Sequence, residues 1–427
     1  MSKSKNDIAW EQIFKKYNVL EEITNIGYFR VTASQIGEFR EARLMAKFDH
    51  KSQLPEIFKK HSLSILPITR GSYIISQFEA YKSFEEINTE ITKVKFPEYI
   101  ESIDYECITS EAMAINCAYV SGIIADFMED ERILPVVSGR MSSLEFEFII
   151  NNTKQKDKLP VHVSNSQIEI DGGYEGIENL ALIEAKNSIS DDFLIRQLYY
   201  PYRLWSKKVS KKVKSIFMTY SNDIFSFYEY SFLDPKNYNS LVLVKQKNYI
   251  IDQEDISLGD ILSILHDVKL KKEPEIPFPQ ADNFKRIINL CELLLNDDMN
   301  KEDIVSKYDF DPRQADYYTN AGMYLGLIKK KDTNPIIYSL SNIGKKIIRQ
   351  KHRARQLSLV KLILEHEVFN KSIKLYIKKG ESPTKNEITN LMKESYIHNV
   401  KSEVTMMRRS STVISWTNWI LSLVNID

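Results

Sequence analysis

The sequence predicts an α/β (α+β) core, with a mixed sheet flanked by helices, followed by mainly helical C-terminal parts. Three observations carry that expectation. Period-two alternation of apolar and polar residues recurs between residues 140 and 230, with helix-period stripes before and between those runs. A stretch holding three prolines, 269–281, then interrupts the chain with mixed charge and should be extended and semi-rigid. Beyond it, the apolar spacing is almost wholly helical.

The first 98 residues read as an N-terminal α+β domain. Residues 39–50 are cation-rich, and residues 63–75 read as two strands around a turn. Arg40, Arg43, Lys47 and Arg70 are possible phosphate contacts, with a solvated surface as their default role. The core domain spans 99–268. Ser110 is a helix N-cap, with Glu111 in the first turn where a helix dipole favours acids. Met113, Cys117, Val120, Ile124 and Phe127 continue one apolar stripe. Residues 140–150 read as a single strand, with Glu145 and Glu147 toward solvent. Residues 167–171 and 180–186 read as paired strands joined by a broad glycine-rich loop, 171–176. Residues 191–203 read as a helix, and 215–220 and 224–230 as two further strands.

The hairpin carries chemistry. Antiparallel pairing lets Asp171 and Glu184 converge at one edge, with Lys186 two residues further along the same face. Mg²⁺ takes hard oxygen ligands, commonly one or two carboxylates together with substrate phosphate. A nearby ammonium can orient or activate water, or stabilise a developing negative oxygen. A short acid…acid-x-Lys pattern on a solvated strand face is the plain alternative.

Asp171, followed after a loop by Glu184-Ala185-Lys186, resembles the PD-(D/E)xK nuclease motif of type II restriction endonucleases. The likeness covers roughly residues 100–250. Ile170 stands where the motif has proline. The resemblance implies that Asp171, Glu184 and Lys186 are catalytic, and that Gln197 assists from the following helix. It also implies that Asp171 and Glu184 bind Mg²⁺, with Glu111 as an added acid. Tyr199, Tyr200 and Tyr202 loosely match an accompanying tyrosine, at a different spacing.

Residues 282–350 read as a winged helix-turn-helix. Phe284, Ile287, Ile288, Cys291, Leu294 and Leu295 mark a first helix, and Asn300 caps a second over 301–307. Asp311-Pro312 opens a third. A basic turn over 329–335, containing Lys330, precedes a strand over 336–340. On the third helix Ala315, Tyr318 and Gly322 face the core, while Arg313, Gln314, Tyr317 and Asn320 are free for base edges. Residues 351–427 read as a second helical, helix-turn-helix-like unit. There Val404, Met407, Val413, Trp416, Trp419 and Ile420 supply a core, and Arg408 and Arg409 suit phosphate oxygens.

Zero net charge hides an asymmetry. Residues 281–427 hold 24 Lys/Arg against 17 Asp/Glu, and the remainder 34 against 41. A basic C-terminal part beside an acidic remainder fits a nucleic-acid-binding module joined to a metal-using one. Three scattered cysteines without CxxC spacing fit a reducing compartment, and with seven scattered histidines a structural zinc site is improbable. Neither a membrane span nor a secretory leader is expected. The chain therefore reads as a cytoplasmic, Mg²⁺-dependent, sequence-specific endonuclease acting on double-stranded DNA. A homodimer, which could be transient, and a cognate DNA methyltransferase in the same system are expected with it. The alternatives are a winged-helix regulator with an inert nuclease-like domain, and a repair or mobile-element nuclease.

Overall fold

The computed structural model describes residues 4–85, 90–154, 158–251, 254–308, 310 and 312–424. They fall into two compact units. The first comprises 1–92, 110–220 and 224–250, and the second 93–109, 221–223 and 251–427.

In the first unit, a mixed sheet runs in the spatial order Ile91–Lys93, Leu241–Ile250, Ile224–Phe232, Lys212–Ser221, Asn179–Lys186, Gln167–Glu175, Leu134–Ser142. Asn179–Lys186 is antiparallel to Gln167–Glu175 and parallel to Lys212–Ser221. That parallel step needs a crossover, which the helix Arg196–Lys208 supplies. The helices Glu111–Val120 and Arg196–Lys208 both pack on the two strands of the hairpin. A mixed sheet flanked by helices is thus present, as is a mainly helical C-terminal region.

The hairpin departs from its sequence reading. The glycine-rich stretch is strand rather than loop: residues through Glu175 stay in the ladder, with Leu180 opposite Glu175 and Ile183 opposite Gly172. Glycine is needed at residue 173, where a Cβ would stand 2.8 Å from the Val137 Cβ and 3.0 Å from its carbonyl oxygen. On the other edge, Val137 pairs with Gly173 but Gly139 pairs with Ile170. The Gln167–Glu175 strand therefore carries an extra residue at Asp171–Gly172. Such a bulge re-aims a side chain and bends its strand.

Other boundaries also moved. The single strand expected over 140–150 is two, Leu134–Ser142 and Glu145–Asn151, in different sheets. The break comes at Leu144, whose φ of 57° is left-handed. The stripe from Met113 to Phe127 is broken at Gly122, also left-handed, into Glu111–Val120 and Ile123–Met128. Residues 192–194 form a short strand before the Arg196–Lys208 helix begins.

An aromatic core fixes that helix. Tyr199 and Tyr200 are fully buried against Phe146 and Phe148. The Tyr199 hydroxyl donates to the Pro235 carbonyl at 2.8 Å, and that of Tyr200 to the Pro67 carbonyl at 3.0 Å. Both tyrosines are core residues. N-terminal to the sheet, Trp10, Ile13, Phe14 and Phe58 build a separate core among short helices. The strands Ser64–Pro67 and Ser72–Ser76 form the expected pair.

In the second unit, helices Phe284–Asn296, Lys301–Lys307 and Pro312–Tyr324 accompany a small antiparallel sheet whose first strand falls between the first two helices. Met299–Asn300 and Ile328–Lys331 pair on either side of Ile337–Leu340. The basic turn is therefore shorter than expected, because Lys329 to Lys331 are strand. Asp311 lies outside the described residues. In the last helix, Glu403–Ser422, Val413, Trp416, Trp419 and Ile420 are buried as expected, and the Trp416 indole donates to the Ala281 carbonyl at 2.7 Å. Val404 is 71% exposed instead of contributing to the core, since it sits in the unpacked first turn.

Substituting Gly173→Ala should destabilise the first unit by about 1–3 kcal/mol, because the new methyl meets backbone as well as side chain. Thermal unfolding of the variant measures the loss, and an unchanged melting temperature would contradict the close approach.

Candidate active-site cleft

Asp171, Glu184, Lys186, Gln197 and Glu111 all line one cleft of about 220 Å³. Five residues that lie up to 86 positions apart in the chain are gathered by one hairpin and its two helices. With the ladder ending at Ile183, the Asp171 carboxylate takes over and accepts from the Ala185 amide at 2.9 Å. That bond follows from the bulge, which leaves this amide to a side chain instead of a backbone partner.

Glu184 is the centre of the arrangement. It is 8% exposed, and its Oε1 accepts from the Lys186 ammonium at 2.5 Å and the Gln197 amide at 2.6 Å. Burial pushes the Glu184 carboxyl up to about 7. The Lys186 charge opposes that shift and the Asp171 charge adds to it. For Lys186, burial disfavours the ammonium, but Glu184, Glu111, Asp49 and Asp171 outweigh it and hold the amine above its ordinary range. Lys186 is therefore a fixed cation at neutral pH. Burial likewise raises Glu111, against the pull of Lys186, and its carboxylate accepts from the Asn187 backbone.

Asp171 and Glu184 could share a divalent cation, whose remaining positions water and phosphate would fill. Among the described residues, no group of three or more His, Cys, Asp or Glu side chains is arranged to hold a metal. Glu111 thus lines the cleft without completing a ligand triad.

The N-terminal residues enter the same cleft. Lys47 and Asp49 line it, as do Arg140, Glu169 and Arg196. The segment is tied to the backbone of 192–194: Leu194 donates to the Asp49 carbonyl at 3.0 Å, and the His50 ring meets the Asp192 carbonyl at 2.7 Å. Asp49 carried no periodic or spacing signal, so sequence reasoning missed it. Lys47 was noted only as a possible phosphate contact. Most of these charges are paired, Lys47 with Asp49 at 3.6 Å and Arg140 with Glu169 at 3.1 Å.

The residues expected to touch DNA lie in the second unit. Arg313 is exposed, while Gln314, Tyr317 and Asn320 are half-buried. Lys330 is exposed in the small sheet and pairs with Asp332 at 3.3 Å. Arg408 is exposed. Arg409 is half-buried, and its buried Nε has no hydrogen-bond partner. Burial and the neighbouring Arg408 draw the Arg409 pKa down, while Tyr317 and Asp282 oppose them. The last helix and the Pro312–Tyr324 helix thus bring Arg409 and Tyr317 into one neighbourhood.

Three family models match the chain, each described as a domain of unknown function: DUF6996 over residues 7–75, DUF6997 over 76–250 and DUF7226 over 286–425. No curated protein and no solved structure matches it. The cleft draws Lys47 and Asp49 from the first of these regions and its other residues from the second. Among the described residues, no helix is long and apolar enough to cross a membrane.

The Glu184 shift has a thermodynamic sign. Its native pKa lies above the unfolded value, so between about pH 4.5 and 7 the native state holds a proton that the unfolded chain has released. That term makes stability fall as pH rises through this window. Relative to wild type, Glu184→Gln should gain stability across the same interval and level off above it. Denaturant unfolding at several pH values measures the difference, and a trend of opposite sign would contradict the burial argument.

Proposed function

We propose that this chain is a Mg²⁺-dependent endodeoxyribonuclease of the PD-(D/E)xK kind, acting on double-stranded DNA as a type II restriction enzyme. The observation that carries the reading is the convergence of Asp171, Glu184 and Lys186 in one cleft, with Gln197 bonded to the buried acid. Asp171 and Glu184 would hold the cation. When bound, Mg²⁺ supplies an acidified water and neutralises charge gathering on the phosphate. Lys186 keeps its proton at neutral pH, so it positions the attacking water and stabilises the anionic oxygen rather than removing a proton. Gln197 fixes the Glu184 rotamer. Glu111 shapes the field around Lys186.

The second unit would find the site. Three helices and a three-stranded antiparallel sheet have the layout of a winged helix, and the Pro312–Tyr324 helix would then be the one that enters the major groove. Arg313, Gln314, Tyr317 and Asn320 would contact base edges, and Lys330, Arg408 and Arg409 phosphates. Cutting both strands calls for two copies of the cleft, hence a dimer, at least a transient one, and host DNA in the cytoplasm would need a companion methyltransferase.

A second reading has one observation of its own. The Glu184 Oε1 already accepts from both Lys186 and Gln197, a network that a DNA-binding regulator with an inert cleft would also keep.

Incubating plasmid DNA with the full chain and Mg²⁺ separates the two readings. The nuclease reading expects discrete fragments, a loss of about 10²–10³-fold in Lys186→Ala and Asp171→Asn, and retained DNA binding by both variants. Binding without cleavage by the wild type would assign the chain to the regulator class, and a smear instead of bands would favour a repair or mobile-element nuclease.

A further inference from the structure

Four cations line the cleft: Lys47, Arg140, Lys186 and Arg196. Three of them are engaged by carboxylates of the cleft itself, namely Asp49, Glu169 and Glu184. Arg196 differs. No carboxylate in the described residues forms an ion pair with it. Its guanidinium lies over the Tyr200 ring, 5.6 Å from the centroid, and its Nε is buried with no hydrogen-bond partner.

That combination is unusual for a cleft this acidic. Five carboxylates line the same wall, yet the one cation on the first turn of the Arg196–Lys208 helix pairs with none of them. Tyr200 holds it in place. The ring is fully buried and anchored through its hydroxyl to Pro67, so the guanidinium is fixed before any ligand arrives. A guanidinium that lines the cleft and pairs with no carboxylate suits an oxyanion. Its planar fork matches two oxygens of a phosphate better than an ammonium does.

Gln197, the next residue in the chain, bonds to Glu184 at 2.6 Å. Arg196 therefore adjoins the residue that bonds the acid proposed to bind the cation. A phosphodiester reaching that cation would present its second non-bridging oxygen within the same cleft.

We propose that Arg196 is the phosphate-gripping residue of this cleft, binding a non-bridging oxygen of the DNA phosphodiester that the acids and Lys186 act on. The assignment rests on the nuclease reading for the identity of the phosphate. It predicts that Arg196 contributes one charge-assisted phosphate contact, made whenever DNA occupies the cleft.

The test uses the full chain with wild type, Arg196→Gln and Arg196→Lys. Binding of a duplex oligonucleotide is followed by fluorescence anisotropy in Ca²⁺ across a range of salt. Cleavage is followed in Mg²⁺, and thermal unfolding is recorded for each protein. Losing one phosphate contact should lower the slope of log affinity against log salt by about one in Arg196→Gln. Arg196→Lys should keep the slope while losing part of the cleavage rate, because an ammonium lacks the fork. The melting temperature should hold or rise in Arg196→Gln, since the orphaned donor is removed.

If wild type fails to cleave but Arg196→Gln still lowers the slope, the phosphate contact stands and the nuclease reading falls. If wild type cleaves, and Arg196→Gln alters neither slope nor rate, the Arg196 assignment is overturned while the nuclease reading survives. A drop of several degrees in melting temperature with an unchanged slope would make Arg196 a structural cation and also overturn it.

Discussion

A buried carboxylate bonded to a largely covered ammonium organises the first unit. Glu184 and Lys186 sit two residues apart on a strand whose other side chains are almost all buried, so neither charge can be left to bulk water. Removing one member of such a pair ordinarily costs about 3–5 kcal/mol, because the other is left uncompensated. Here Glu184 has a way out. With its carboxyl already raised to about 7, it can take a proton when its neighbour is lost. The pair is thus poised between an ion pair and a neutral acid, and an arriving cation would tip it toward the charged form.

The surroundings make that poise possible. The bulge at Asp171–Gly172 turns a ladder position into a carboxylate that bonds the Ala185 amide, placing a second acid beside the first. The aromatic core under Tyr199 and Tyr200 fixes the helix that delivers Gln197 and Arg196. Backbone bonds from Leu194 and Asp192 to the segment around Asp49 and His50 bring the N-terminal residues to the same wall. Each contact is ordinary alone. Together they bring to one wall groups that chain order keeps far apart.

Much of this was legible in the sequence, and for a physical reason. Alternation and capping are local, so the hairpin strands, the Ser110 and Asn300 caps and the buried tryptophans of the last helix could be read directly. What the sequence hid depends on non-local contact. Glycines 172 and 173 look like a turn until Val137 and Ile115 are seen to press against them. The continuous stripe from Met113 to Phe127 conceals a break, because Gly122 interrupts the helix without disturbing its period. Asp49 shares no pattern with the hairpin acids and reaches them only through tertiary packing. Val404 had the spacing of a core residue but falls in a turn that nothing covers.

In the proposed nuclease, Asp171 and Glu184 would share one divalent ion. Titrating Mn²⁺ into the full chain near pH 6.5, with bound metal counted by electron paramagnetic resonance and proton release followed in weak buffer, tests it without requiring turnover. One ion should bind per cleft, with release approaching one proton as Glu184 ionises and loss of both signals in Asp171→Asn. Binding that persists unchanged in that variant, or that releases no proton, would contradict it.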